Sequence, residues 1–125
     1  MKTIGMIGGM SWESSVEYYK LVNEGIHEKL GGVHSAKCVM VSVDFAEVEV
    51  LQKEGRWQEA TQDMITAARQ VESAGADFLL ICTNTMHKMA EEVQAAISIP
   101  LLHIADAAAE AVKKQSFQTI GLLGT

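Results

Sequence analysis

The chain has 125 residues, 48% of them hydrophobic, which is enough apolar material to exclude a disordered segment. Sixteen acidic and ten basic side chains give a net charge of −6 without a basic cluster, so nucleic acid is not an expected partner. No apolar run reaches the roughly 18 residues of a membrane span, and the first ten residues do not form an export signal. Two cysteines far apart in the chain are typical of a reduced, cytoplasmic protein.

The first half of the chain predicts two strand–helix units. Residues 2–8 form an apolar run ending in glycines, which indicates a buried strand, and residues 13–30 follow as a helix. Ser11 or Ser14 caps this helix, and Gly31 and Gly32 end it. Its predicted apolar stripe consists of Val16, Tyr19, Val22, Ile26 and Leu30. Residues 37–43 predict the second strand and residues 56–74 the second helix, whose buried face contains Trp57, Ala60, Met64, Ala67 and Val71.

The second half continues the alternation. Residues 77–82 predict a third strand and residues 86–97 a third helix. Pro100 opens a fourth strand over residues 101–104, and Asp106 caps a fourth helix over residues 107–114. A fifth strand covers residues 118–124. This order of elements predicts an α/β fold in which a parallel sheet is covered by helices on both faces, as in flavodoxin-like and Rossmann-like lobes.

A short internal repeat bears on the domain organisation. Residues 3–9 (TIGMIGG) and 119–125 (TIGLLGT) are identical at four of seven positions. Buried first strands resemble one another, which is one explanation. We favour the other, in which residues 1–116 form an N-terminal lobe and residues 117–125 begin a similar, truncated second lobe. On this interpretation the chain is a fragment.

Polar residues follow the third predicted strand at the position where ligands bind in open α/β sheets. Residues 82–87 (CTNTMH) bring a thiol, two hydroxyls, a carboxamide and an imidazole together in one loop. Taken singly, Cys82 is explained as a buried thiol, Asn84 or Thr85 as a helix cap, and His87 as a surface residue. Taken together, they favour a binding site.

Other potential sites are weaker. Gly8 and Gly9 allow either a tight turn capped by Ser11 or close approach of a ligand, but they match neither the dinucleotide fingerprint nor the phosphate loop. The first strand also lacks the acidic pair of a receiver domain. The histidines and cysteines have no metal-ligand spacing, so no metal is predicted. We expect His27 and His34 at the surface, and His103 and Cys38 in the core.

Residues 5–14 (GMIGGMSWES), 42–45 (SVDF), 82–88 (CTNTMHK) and 100–106 (PLLHIAD), in this order, resemble the aspartate/glutamate racemase family, and most closely its broad-specificity amino-acid racemases. Members of that family are about twice as long, with two similar lobes around a cleft. The resemblance implies racemisation of aspartate or glutamate without pyridoxal phosphate, and hence no cofactor. Inversion needs two acid/base groups on opposite faces of the α-carbon, and the family takes one cysteine from each lobe.

The resemblance also implies individual roles. The family's first-lobe cysteine usually precedes Asn-Thr directly, and Thr83 holds that position here. Successive residues of a strand point to opposite sides, so Cys82 and Thr83 should not both face the cleft. Thr83, at the position that matches the family's cysteine, is the residue expected to face it, and Cys82 is the alternative if the loop departs from strand geometry. The substrate-binding residues that the resemblance implies are Met10, Ser11, Gln52, Asn84 and Thr85.

Two other functions remain open. A related cysteine-dependent dicarboxylate isomerase or decarboxylase would keep the fold and change the reaction, whereas a non-catalytic lobe would only bind a small carboxylate. Because the second-lobe cysteine is missing, we expect this chain alone to racemise nothing. Apolar surface left exposed by the missing lobe would favour self-association, so a homodimer is expected.

Overall fold

The computed structural model describes residues 1–124 and confirms the α/β prediction. Three parallel strands lie in the order β2-β1-β3, with β1 over Ile4–Gly8, β2 over Cys38–Ser42 and β3 over Phe78–Ile81. The helices are α1 (Trp12–Leu30), α2 (Phe45–Lys53), α3 (Trp57–Ser73), a 3-10 helix (Thr85–Met89), α4 (Ala90–Ala95) and α5 (Ile104–Lys114). In the register, Ile4 pairs with both Cys38 and Phe78. The strands therefore start level, and their carboxyl ends meet at one edge.

Helices cover both faces of the sheet, and two glycines of β1 lie against them. A Cβ atom on Gly5 would collide with Val71 of α3. A Cβ atom on Gly8 would lie 2.6 Å from Ser15 Oγ of α1, on the other face. The chain thus uses glycine where the sheet backbone approaches a helix closely.

The main core lies between the sheet and α3. The predicted buried face of this helix is confirmed, because Ala60, Met64, Ala67 and Val71 are buried and Trp57 packs against them. The strands contribute Ile7, Leu79 and Ile81 to the same cluster. This apolar layer holds the carboxyl edge of the sheet in place.

The predicted apolar stripe of α1 is partly wrong. Three of its five residues, Val16, Tyr19 and Leu30, are more than half exposed, whereas Ser15 is buried. Ser15 faces the sheet because Gly8 and Gly9 bring the strand backbone too close for a larger side chain. A polar but small residue therefore occupies the inward position that hydrophobic periodicity assigns to an apolar one.

Three elements differ in extent from the prediction. Residues 45–53, which lie between the second predicted strand and the second predicted helix, form α2. The predicted helix over residues 86–97 is divided into the 3-10 helix and α4. The predicted fourth strand is reduced to one parallel bridge between Leu101 and Leu79, since the chain turns into α5 at Ile104. Its cap is His103, whose Nδ1 accepts the Ala105 N–H at 3.1 Å, so Asp106 as cap and His103 as a core strand residue are both wrong.

The predicted fifth strand over residues 118–124 does not form in the described part of the chain. Ile120 and Leu122 are exposed, because the segment has no neighbouring strand to bond its backbone. Residue 125, the last position of the repeat, lies outside the described residues. No helix within residues 1–124 is both long and apolar enough to cross a membrane.

Candidate functional site

The loops that follow β1 and β2 pack directly on each other. Gly9 has a φ of 95°, and a Cβ atom there would collide with the Val43 carbonyl oxygen. The Val43 N–H donates to the Gly8 carbonyl at 3.0 Å, and the Gly9 N–H donates to Ser15 Oγ at 2.9 Å. Only glycine satisfies both the conformation and the contact at position 9. The glycine pair thus forms a tight turn, and the loop is fixed from two sides.

Ser14 joins the start of α1 to the end of β3. Its Oγ lies 2.6 Å from the Cys82 carbonyl oxygen and 2.9 Å from the Ser11 carbonyl oxygen, and its single proton can be donated to one of them at a time. Ser11 occupies the N-cap position without a side-chain cap bond, so Ser14 as the cap is wrong. The loop after β1 (the first loop) and the loop after β3 (the third loop) are therefore held together by the Ser14 hydroxyl in the first turn of α1.

Cys82 is fully buried at the end of β3. Its exposed fraction is 0%, and its N–H continues the strand ladder by donating to the Ile7 carbonyl at 2.9 Å. Burial raises the pKa of the Cys82 thiol to about 12. The thiol is consequently neutral at physiological pH, and the thiolate that proton abstraction requires is almost absent. Burial also raises the pKa of Tyr18 on α1, with a smaller electrostatic contribution from the neighbouring Cys82.

The three residues after Cys82 lie progressively nearer to the solvent. Thr83 is half-buried, and Asn84 and Thr85 are exposed. Asn84 occupies the N-cap position of the 3-10 helix, but its side chain makes no capping bond. The part of the predicted binding loop formed by residues 83–85 is therefore open to a small ligand and is not sealed by apolar packing.

His87 lies beneath this loop and not at the surface. It is 9% exposed, and its Nδ1 lies 2.8 Å from the Thr83 carbonyl oxygen and 3.2 Å from that of Asn84. Its Nε2 lies 3.4 Å from the Ile104 backbone nitrogen, at the start of α5. Burial and the nearby His103, whose ring centroid is 4.6 Å away, lower the pKa of His87, which favours the neutral imidazole.

The other predicted binding residues lie at different depths. Met10 is only 3% exposed and belongs to the core, whereas Ser11 is half-buried beside it. Gln52 of α2 is brought to the third loop, where its Nε2 donates to Met86 Sδ at 3.2 Å. The structure thus places Ser11, Gln52 and the third loop at one edge of the sheet.

Two cavities flank the loop, and Thr83 and Asn84 line neither. One, of about 100 Å³, has Glu47 and Asp63 in its wall, and these acidic groups disfavour an anionic ligand. The other, of about 180 Å³, lies on the α1 side beside His87 and Tyr18 and is mostly apolar. The open surface at the third loop is therefore the better candidate for a carboxylate site.

Some supporting features had weak signals in the sequence. The start of α2 matches a capping pattern, with Asp44 followed three residues later by Glu47, and Asp44 Oδ1 accepts the Ala46 N–H at 3.0 Å. The bond of Ser14 to the Cys82 carbonyl and the bond of His87 to Ile104 had no such signal, because they depend on contacts between distant segments.

Comparison with known proteins gives a consistent result. The sequence profile of the Asp/Glu/Hydantoin racemase family matches residues 7–125. A 48-residue stretch is 40% identical to the broad-specificity amino-acid racemase RacX of Bacillus subtilis, covering 38% of this chain and 21% of that protein.

Solved structures match over nearly the whole chain. A Yersinia pestis protein provisionally assigned as an Asp/Glu racemase is 53% identical, with a TM-score of 0.96 over 100% of this chain and 54% of its own. PH1733, an aspartate racemase homologue from Pyrococcus horikoshii, is 34% identical, with a TM-score of 0.83 over 92% of this chain and 50% of its own. The chain therefore spans about half the length of these two proteins.

Proposed function

The chain belongs to the Asp/Glu/hydantoin racemase family, and from this premise we propose that it is the N-terminal lobe of a cofactor-independent racemase of aspartate or glutamate. Residues 1–116 are the proposed lobe, and residues 117–125 begin a second one. The substrate would lie against the loop after β3, between the two lobes.

The observation that carries this proposal is the contrast between neighbouring residues of that loop. Cys82 is 0% exposed with a strongly raised thiol pKa, while Thr83 is half-buried and Asn84 is exposed. A group that donates a proton to the α-carbon must reach the substrate within hydrogen-bond distance. This requirement favours Thr83 over Cys82 as the first-lobe proton-handling residue.

Thr83 differs from a cysteine in how it handles a proton. A hydroxyl is a poor base at neutral pH, but it can donate or relay a proton to a carbanion on one face of the α-carbon. The opposite face would be served by a cysteine of the second lobe, as the family resemblance implies. Unequal groups on the two faces should make the two enantiomers react at different rates.

The remaining residues would bind the substrate. We assign the α-carboxylate to Asn84 and Thr85, and the far end of the substrate to Gln52. Ser11 would line the same cleft, while Met10 would support it from the core side. Backbone N–H groups at this loop would stabilise the charge that spreads onto the carboxylate as the α-proton leaves.

Exchange of the α-proton in D₂O tests the proposal, using a full-length form of the protein and L-aspartate or L-glutamate as substrate. Thr83→Ala should abolish conversion of one enantiomer into the other, while exchange on the face of the second-lobe cysteine can continue, and Thr83→Ser should retain part of the conversion because the hydroxyl remains. Cys82→Ala should retain activity, with Cys38→Ala as the matched cysteine control. Loss of exchange in Cys82→Ala alone would contradict the assignment.

The substrate panel separates this function from its alternatives. Conversion of maleate, or loss of CO₂ from a substituted malonate, without exchange of amino acids would indicate an isomerase or decarboxylase. Binding of aspartate without any exchange in the full-length protein would indicate a non-catalytic lobe. The 125-residue chain by itself should exchange nothing, since it contains one side of the proposed pair.

A further inference from the structure

His87 connects two segments of the chain through its two ring nitrogens. On one side, Nδ1 faces the carbonyl oxygens of Thr83 and Asn84, at 2.8 and 3.2 Å. On the other side, Nε2 faces the backbone N–H of Ile104, at 3.4 Å. The imidazole thus lies between the proposed substrate loop and the first residue of α5.

These neighbours select one tautomer. A carbonyl oxygen only accepts, so Nδ1 must carry the proton, and the Ile104 N–H only donates, so Nε2 must be unprotonated. Protonation of Nε2 would place two donors against each other. The titratable groups that face the same cavity are Tyr18 from α1 and His103 from the segment before α5, and neither is an anion that would stabilise a charged ring.

The bonds to His87 orient the loop. In a trans peptide the C=O and N–H groups point in opposite directions, so holding the Thr83 carbonyl towards the imidazole turns the Asn84 N–H away from it. Both restrained carbonyls belong to residues that we assign to proton transfer and carboxylate binding. Movement of the imidazole would therefore shift the groups that contact the substrate.

We propose that His87 is a positioning residue, whose neutral imidazole holds the Thr83–Asn84 loop in its active conformation and links it to the start of α5. It acts through the loop backbone and does not itself contact the substrate. This inference rests on the proposed racemase function.

Two conservative variants separate the two sides of the ring. The side-chain nitrogen of His87→Asn can replace Nδ1 and keep the bond to the Thr83 carbonyl, whereas the side-chain oxygen of His87→Gln can replace Nε2 and keep the bond from Ile104. In the full-length protein, His87→Ala should lower kcat by about 100-fold, the cost of misplacing a reacting group by about 1 Å. His87→Asn should restore most of that loss, and His87→Gln should restore less.

The pH profile distinguishes positioning from a merely structural role. Burial lowers the pKa of His87, so wild-type kcat/KM should show an acid limb, distinct from that of the second-lobe cysteine, at a pH below the ordinary histidine value of about 6.5. This acid limb should be missing in His87→Asn. His103→Asn keeps a capping side chain for α5 and should leave kcat unchanged. All variants are assayed at a temperature at which circular dichroism shows that they are folded.

Nuclear magnetic resonance of the 125-residue chain tests the geometry independently of activity. The imidazole ¹⁵N shifts should report a neutral, Nδ1-protonated ring at pH 7, and His87→Asn should preserve the Asn84 amide shift better than His87→Gln. A cationic or Nε2-protonated ring, or an unchanged loop and rate in His87→Ala, would overturn the proposal. An inactive wild-type protein would refute the racemase function, and the loop shifts would still decide the positioning. If His87→Ala does not fold, the Asn and Gln variants decide it.

Discussion

Alkylation of Cys82 tests whether its thiol can act as an acid/base group. With a pKa of about 12, the thiolate fraction at pH 8 is roughly 10⁻⁴, whereas a cysteine with the ordinary pKa of about 8.5 is roughly one quarter ionised. Since the thiolate is the reacting species, ionisation alone should slow alkylation by about 2,000-fold. Burial adds to this protection, because the sulfur is 0% exposed.

The assay uses iodoacetamide at pH 8 on a Cys38→Ser variant, in which Cys82 is the remaining cysteine. Mass spectrometry measures the labelling rate of the native chain, and the same chain in guanidinium chloride gives the reference rate. Low denaturant concentrations show whether the residual labelling proceeds through opening of the fold. The expected native rate is at least about 1,000-fold below the reference. A native rate within about tenfold of it, with no dependence on denaturant, would refute the argument against Cys82 and return it to the catalytic position.

Three further predictions concern stability and association. Gly9→Ala should destabilise the chain by well over the ~1–2 kcal/mol that positive φ alone costs an alanine, because its Cβ would also collide with the Val43 carbonyl. Gly75→Ala is the control, since Gly75 has a φ of 90° but no atom near the added Cβ, and it should lose only the conformational part; equal losses of unfolding free energy in urea would contradict this. Because burial raises the pKa of the Cys82 thiol, the unfolded chain loses this proton at a lower pH than the folded chain, and the free energy of unfolding falls as pH rises above about 8.5. Between pH 7 and pH 10 the free energy of unfolding of the wild type should fall by about 2 kcal/mol more than that of Cys82→Ala. Parallel plots of unfolding free energy against pH for the two proteins would show that the pKa of Cys82 is not raised. Val16 is half-exposed on an apolar face of α1, so Val16→Lys should weaken self-association in sedimentation velocity, and an unchanged mass distribution would exclude this face.

The fold was predictable because its signals are local. Each strand is a short apolar run, and α3 has a regular apolar face that is buried as predicted. Parallel pairing follows from the alternation of strands and helices, since a crossover helix returns the chain in the same direction. The position of the CTNTMH loop at the carboxyl edge of the sheet follows from the same rule, and so does its openness to a ligand.

Where local signals compete with tertiary contacts, the sequence was less informative. Val16 and Tyr19 have the spacing of a core stripe, but the glycine backbone of β1 approaches α1 so closely that Ser15 takes the inward position. Residues 101–104 have the composition of a strand, yet the His103 cap begins a helix there after a single bridge. In both places a contact between segments far apart in the chain outweighs the local pattern.

The sequence alone determined the α/β architecture, the loop that carries the candidate site and the family that its motifs resemble. Only the tertiary structure decided the environment of each side chain in that loop. The burial of Cys82, which raises its pKa, and the bond that His87 accepts from Ile104 arise from elements that are not adjacent to these residues in sequence, among them α5 and the neighbouring strand. Desolvation and hydrogen bonding depend on what surrounds a group in space, and residue spacing along the chain does not report that.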